Sequence, residues 1–154
     1  MFKNLVGKVW RSIPIGVRRW TVRLTNTHFM VTAGAVIFNE QNEVLILRHR
    51  FRGGSGWGLP GGFLGPGEQP LEGLQRELRE EIGIELEHAE IFWARSFKRP
   101  KQVEILFLGQ VKGEVRLQSI EVERAVWCAP DSLPDGLAED QRLLVKRAVE
   151  KRQV

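Results

Sequence analysis

The stretch Gly61–Ile84, GGFLGPGEQPLEGLQRELREEIGI, changes character halfway along. Its first half is rich in glycine and proline. Its second half carries Glu77, Glu80 and Glu81 within five residues. Like charges at helical spacing repel each other, so a segment that needed only to be a helix would disperse them. Pro70 suits a first helical residue, where no N–H is needed, and Gly83 suits the stop. Leu71, Leu74, Leu78 and Ile82 recur at intervals of three and four, which predicts a core-facing stripe. On such a helix each residue advances by about 100°, and the three glutamates share one arc beside the leucines.

A divalent cation would relieve the repulsion, since Mg²⁺ prefers oxygen ligands and keeps part of its water shell. A solvated acidic face neutralised by Arg76 and Arg79 fits the spacing equally well. The glycine-rich entry favours the first reading. Gly61, Gly62, Gly65 and Gly67 let the backbone bend and approach a ligand closely. A helix N-terminus favours an anion, and an exposed carbonyl can join a metal site. Together these features point to metal-assisted chemistry on phosphates.

Outward from this stretch, Phe29–Phe38 is nearly all apolar and reads as a strand buried on both faces. The turn NEQN and the run EVLILRHR predict a hairpin with it. WGLPGG reads as a short strand entering a tight turn. ELEHAEIFWARSF, VEILFLGQV and RAVWCAP read as further strands, and a closing helix is expected after Gly136. This order predicts an α/β domain with helices packed on a mixed sheet. The 154 residues suit one such domain. The expected division is a basic amphipathic arm over 1–27 and this α/β domain over 28–154.

No apolar run approaches the ~20 residues needed to cross a bilayer, and the N-terminus lacks a signal-peptide pattern, so a cytoplasmic protein is expected. Cys128 is the only cysteine, which excludes an internal disulfide, and its apolar neighbours predict a buried side chain. The net charge is +4, yet residues 1–39 hold six basic residues and no acidic one. Solvation or dimer packing is the expected use of this arm. Nucleic acid is a weaker expectation, and an anionic membrane surface a minority one.

The acidic stretch resembles the Nudix signature, G-x5-E-x7-R-E-U-x-E-E-x-G-U, in which U is a bulky aliphatic residue. Gly62, Glu68, Arg76, Glu77, Leu78, Glu80, Glu81, Gly83 and Ile84 match every specified position. The resemblance implies an α/β/α sandwich with a mixed sheet and a loop–helix–loop catalytic motif. It implies Mg²⁺ or Mn²⁺ held mainly by Glu80 and Glu81, with the Gly61 carbonyl as a further ligand. Glu77 would bind metal or orient water, Arg76 would hold the carboxylates, and Glu68 would lie near them. The implied reaction is hydrolysis of a nucleoside diphosphate joined to another group. Glu121, in the loop before the Trp127 strand, is the preferred base or extra ligand, and Glu77 is the alternative.

Arg48, Arg50 and Arg52 end the second strand. On simple alternation they point one way, with His49 and Phe51 pointing the other. Arg95, Lys98, Arg99 and Lys101 surround a later turn, and either group is placed to grip phosphates. Trp57 and Phe63 are candidates to stack on a base, although each suits a core role. Pro100 follows Ile84 by 16 residues, resembling a feature of Nudix enzymes that act on ADP-ribose. ADP-ribose or a nucleotide sugar is therefore the first substrate expectation. A nucleoside triphosphate and an RNA 5′ end follow. A non-catalytic sensor domain is the other class, and the retained glutamates argue against it.

Overall fold

In a computed structural model of the protein, residues 11–111 and 114–153 are described. Apolar strand runs, turn residues and the glycine-punctuated helix produce this order: α1 (Ile15–Thr25), β1 (Met30–Phe38), β2 (Val44–His49), β3 (Trp57–Gly58), β4 (Gly61–Phe63), α2 (Pro70–Ile82), β5 (His88–Phe97), β6 (Gln102–Gln110), β7 (Val122–Cys128) and α3 (Glu139–Arg152).

The sheet is built around the parallel pair β1–β6, in register from Met30↔Gln102 to Phe38↔Gln110. Strand β5 runs antiparallel along the far edge of β6. On its other side, β1 is shared between two partners. Its first half pairs with β4, Thr32↔Phe63 to Gly34↔Gly61, and its end meets β2 at Phe38↔Val44. The expected hairpin is thus closed only at its base. Asn39 shapes the turn by accepting the Gln41 and Glu43 N–H groups at 3.0 and 2.8 Å. Strand β2 then diverges to pair with β7 and β3.

Both faces of β1 are buried, which is why its sequence does not alternate. Ala33, Ala35 and Ile37 face α2 together with Leu45, Leu47 and Phe107. Val36 and Phe38 face α3 together with Val44, Ile46 and Leu106. On α2, Leu74, Leu78 and Ile82 are fully buried, each worth roughly 1.5–3 kcal/mol of transfer free energy. Leu71, expected in the same stripe, is exposed instead. The first turn of α2 docks through Gly73 against Leu64 and Glu68 in the preceding loop. The helix starts with Pro70 after a Gln69–Glu72 capping box, and ends at Gly83 in the left-handed region with φ 69°.

Helix α1 follows Pro14 and exposes Ile15, Val17, Trp20, Val22 and Leu24. The part of the basic-arm reading that rests on residues 1–10 lies outside the described residues. Cys128 is half-buried on β7, and burial together with Glu43 raises its thiol pKa, as suits a packed rather than a nucleophilic sulfur. No described helix is long and apolar enough to cross a membrane.

Candidate active site

The fold sets α2 beside β4 through a contact that only glycine permits. Any Cβ on Gly62 would overlap the Glu77 carboxyl group, and one on Gly61, at φ 147°, would overlap the Ala33 carbonyl of β1. The glycine pair therefore lets β4 lie flat between β1 and the acidic helix.

Arg76 is the cation that gathers this side of α2. It donates to Glu68 Oε1 at 2.9 Å, Glu77 Oε1 at 3.0 Å and Glu80 Oε2 at 3.4 Å, and to the Phe63 carbonyl at 3.0 Å. These bonds tie helix, loop and β4 into one unit. Glu68 also accepts the Gly65 N–H at 2.7 Å. The Arg76 bonds and then the Gly65 bond bring the Glu68 pKa down to about 2, and Glu68, followed by Glu77, raises that of Arg76. Local neutralisation by Arg76 is thus real, as the spacing alone allowed. Arg79 turns away to Glu85.

Glu81 lies outside that network. Its side chain is buried, and its Oε2 has no hydrogen-bond partner. Its pKa is raised to about 7, first by burial and next by Glu77, with smaller pushes from Glu121 and Glu80 that Arg52 opposes. His49 Nδ1 stands 3.7 Å from Glu81 Oε1, and His49 Nε2 is also buried without a partner. Burial, assisted by Arg52, lowers the His49 pKa to about 4. Near neutrality the imidazole is therefore uncharged, and the contact is not an ion pair. Among the described residues, no three His, Cys, Asp or Glu side chains converge to enclose an ion by themselves.

The basic residues divide sharply. Arg52 lies near both Glu81 and Glu104, and burial lowers its pKa against the pull of both carboxylates. Its guanidinium occupies the space beside Gly58. Arg48 instead pairs with Glu123 at 3.5 Å and lies over Trp57 at 6.0 Å. The simple alternation of Arg48, Arg50 and Arg52 fails because β2 ends at His49, with an irregularity between Arg48 and His49. That break carries Arg52 toward the surroundings of His49. Arg50 is exposed, and its N–H donates to the Glu121 carbonyl at 2.8 Å. Arg99 is exposed in the β5–β6 turn and does not line the cavity described next. Glu121 is exposed beside β7, and its charge reaches Glu81.

A cavity of about 220 Å³ opens beside β4 toward the α3 face of the sheet, lined in part by Gly61, Gly62 and Arg52. Its polar lining includes Glu104, Gln102 and Arg95. Phe63, 58% exposed, stands on its border. Trp57 packs with the α3-side core instead. Of these polar residues only Arg95 was singled out by sequence. Gln102 and Glu104 become site candidates only once β6 is known to pair in parallel with β1, a contact across about 70 residues.

The mixed sheet with α2 against one face and α3 against the other makes this an α/β domain. A family model described as "NUDIX domain" matches residues 28–148, and the chain belongs to that family. It is 36% identical over 149 residues to the 8-oxo-dGDP phosphatase NUDT18 of Homo sapiens, covering 92% of this chain and 45% of that protein. This chain thus spans less than half of that relative's length. It is 31% identical over 109 residues to the MutT-like protein of Streptomyces ambofaciens, covering 71% of this chain and 70% of that one. Among solved structures, the MutT protein of Methanosarcina mazei Go1 superposes with a TM-score of 0.71 at 28% identity, covering 84% of this chain and 99% of that one.

Proposed function

We propose that this chain hydrolyses a phosphoanhydride bond in a nucleoside diphosphate, either free or joined to a second group, with Mg²⁺ or Mn²⁺ held by Glu77, Glu80 and Glu81. The observation that carries this reading is the unpartnered, buried Oε2 of Glu81 amid three further carboxylates. A buried carboxylate without a donor is costly, and a hard cation with water and phosphate ligands suits such a donor set. The Gly61 carbonyl remains a further ligand in this proposal. A bound divalent cation neutralises charge on the phosphate oxygens and makes water a better nucleophile.

The protein's own residues have separate tasks. Arg76 fixes Glu77 and Glu80 through its hydrogen bonds, and Arg52 stands where phosphates would pass from the cavity toward α2. In the reaction, a water oxygen bonds to one phosphorus. The bridging P–O bond breaks, its electron pair leaves on the departing phosphate, and a carboxylate takes the water proton. Glu121 is the proposed acceptor, because Glu77 is already hydrogen-bonded to Arg76.

The relative active on 8-oxo-dGDP supports a purine nucleoside diphosphate as the core of the substrate. ADP-ribose and nucleotide sugars stay within the same class, although Pro100 lies in the exposed β5–β6 turn rather than in the cavity. A panel of nucleoside diphosphates, nucleotide sugars and dinucleotides, assayed with Mg²⁺ in ¹⁸O-labelled water, tests the proposal. Metal-dependent turnover with label in one phosphate product is expected. No turnover across the panel would instead favour a ligand-sensing domain.

A further inference from the structure

We propose that α1 and the β5–β6 turn form one docking rim for an anionic lipid surface, with Val17, Trp20 and Leu24 entering the headgroup layer and the cations around them meeting its phosphates. This goes beyond the hydrolytic reading and does not depend on it.

Helix α1 leaves its apolar side chains uncovered. At about 100° per residue, Val17, Trp20 and Leu24 fall within an arc of about 60°. All three are exposed, Trp20 by 63%. Arg18 and Thr21 are half-buried and mark the side turned toward the body. No residue of α1 joins either core cluster. The helix feeds directly into β1, whose first residue, Met30, donates its N–H to the Lys101 carbonyl at 2.9 Å. The β5–β6 turn therefore lies beside the strand end that α1 reaches. Phe29 and Met30, where the two meet, are exposed as well. Lys98, Arg99 and Lys101 are exposed in that turn, as is Arg19 on α1. None of these four cations is held in an ion pair among the described residues.

Charge decides between the possible occupants. Residues 1–39 contain no acidic residue, and the turn KRPK contains none either. A second copy docking symmetrically through this face would set like charges against each other. Nucleic acid would neutralise the cations but leave Val17 and Leu24 without an apolar partner. An anionic bilayer satisfies both sets of side chains. Its phosphates meet the cations, and the boundary between headgroups and acyl chains takes the apolar stripe, a depth that tryptophan favours. A short amphipathic helix of this kind lies in the plane of the surface, consistent with the lack of a described helix able to cross a membrane. Sequence alone ranks lipid last for this arm. The uncovered stripe and the adjoining basic turn reverse that order.

Co-sedimentation of the full chain with vesicles tests this in buffer free of divalent cations. One set contains equal parts of phosphatidylglycerol and phosphatidylcholine, the other phosphatidylcholine alone. Binding to the anionic set should be at least about tenfold tighter and should weaken as salt is added. Trp20→Ser combined with Leu24→Ser should weaken it about tenfold. Lys98→Gln, Arg99→Gln and Lys101→Gln together should weaken it about a hundredfold, since each cation near such a surface contributes roughly fivefold. The two variants alter exposed positions on separate elements, so either one carries the test should the other disturb folding. Equal recovery in the supernatant with both vesicle sets would overturn the proposal, as would anionic binding that neither variant changes. Tighter capture of a single-stranded RNA oligomer, lost in the turn variant and kept in the helix variant, would overturn it in favour of nucleic acid. A dimer in ultracentrifugation that the helix variant dissolves would overturn it in favour of a second copy.

Discussion

Two polar regions meet at β4 and are balanced differently. On the α2 side, Glu68, Glu77 and Glu80 gather around one guanidinium, and Glu81 stands beyond its reach. On the cavity side, Arg95 is matched by Glu104 and Asp140. The first region is short of positive charge and contains an orphaned carboxylate oxygen. The second is internally satisfied. A charge deficit suits a cation, and a balanced set does not call for one.

The largest expected effect comes from neutralising the orphan. Glu81→Gln should lower kcat/KM about a thousandfold, because it removes the proposed ligand most enclosed by the fold. The same change should stabilise the metal-free protein at pH 8. Glu81 has a folded pKa of about 7 against an ordinary value of 4.5, so the folded state binds its proton more tightly. Its contribution to stability is fully present below the ordinary value and is lost as pH rises through the folded one. Glutamine does not titrate, so the variant's advantage should reach at most about 3 kcal/mol at pH 8 and vanish below pH 4.5. His49 contributes oppositely. Its folded pKa of about 4 lies below the ordinary 6.5, so its share is lost as pH falls, but it is common to both proteins and cancels in the difference. Paired denaturation curves across pH measure this, and an advantage that is constant with pH would show that Glu81 is not under electrostatic strain.

Removing the cation that gathers the other carboxylates should cost less. Arg76→Met should lower kcat/KM about a hundredfold, since Glu68, Glu77, Glu80 and the Phe63 carbonyl all lose a donor together. Arg76→Lys should recover little, because one ammonium cannot reproduce the fork. Full activity in the lysine variant would mean that net charge, not geometry, orders the ridge.

The two regions also differed in how far the sequence revealed them. Helix α2 was readable because its signals are local: Pro70 and Gly83 mark its ends, and Leu74, Leu78 and Ile82 mark its buried face. The glutamates could be placed on it by angle alone. Leu71 broke the pattern because the first turn leaves the sheet and rests on its own entry loop. The strand run of β1 was equally plain, but its partners were not. Nothing local announces that β2 touches β1 at one register position only, or that β6 lies parallel beside it. Glu104 and Gln102 owe their position to that distant pairing, and Arg52 owes its position to the irregular end of β2. His49 lies against Glu81 for the same reason.

Filling the cavity should affect binding more than chemistry. A Cβ at Gly34 would sit 3.3 Å from Leu106 Cδ2 and 3.4 Å from the Pro60 carbonyl, tight enough to displace neighbours slightly without forbidding the fold. Gly34→Ala should raise KM about tenfold and change kcat little, because it narrows the cavity and leaves the α2 carboxylates in place. A fall in kcat with KM unchanged would instead tie the cavity to the reacting centre.

The smallest effect is expected at Arg48, which sequence alternation had grouped with Arg52. Arg48 and Glu123 are each roughly 40% exposed and 3.5 Å apart, an arrangement worth at most about 1 kcal/mol. Its guanidinium is engaged by Glu123 and Trp57 rather than by the cavity. Arg48→Ala should therefore leave kcat/KM within about twofold and lower stability by less than about 1 kcal/mol. Arg52→Ala should lower kcat/KM about tenfold, because it removes the cation standing between Glu81 and Glu104. Measured side by side, the two arginines separate charge that merely surrounds the site from charge inside it. Equal losses would mean that the phosphates approach along β2 and β7 rather than across the glycines of β4.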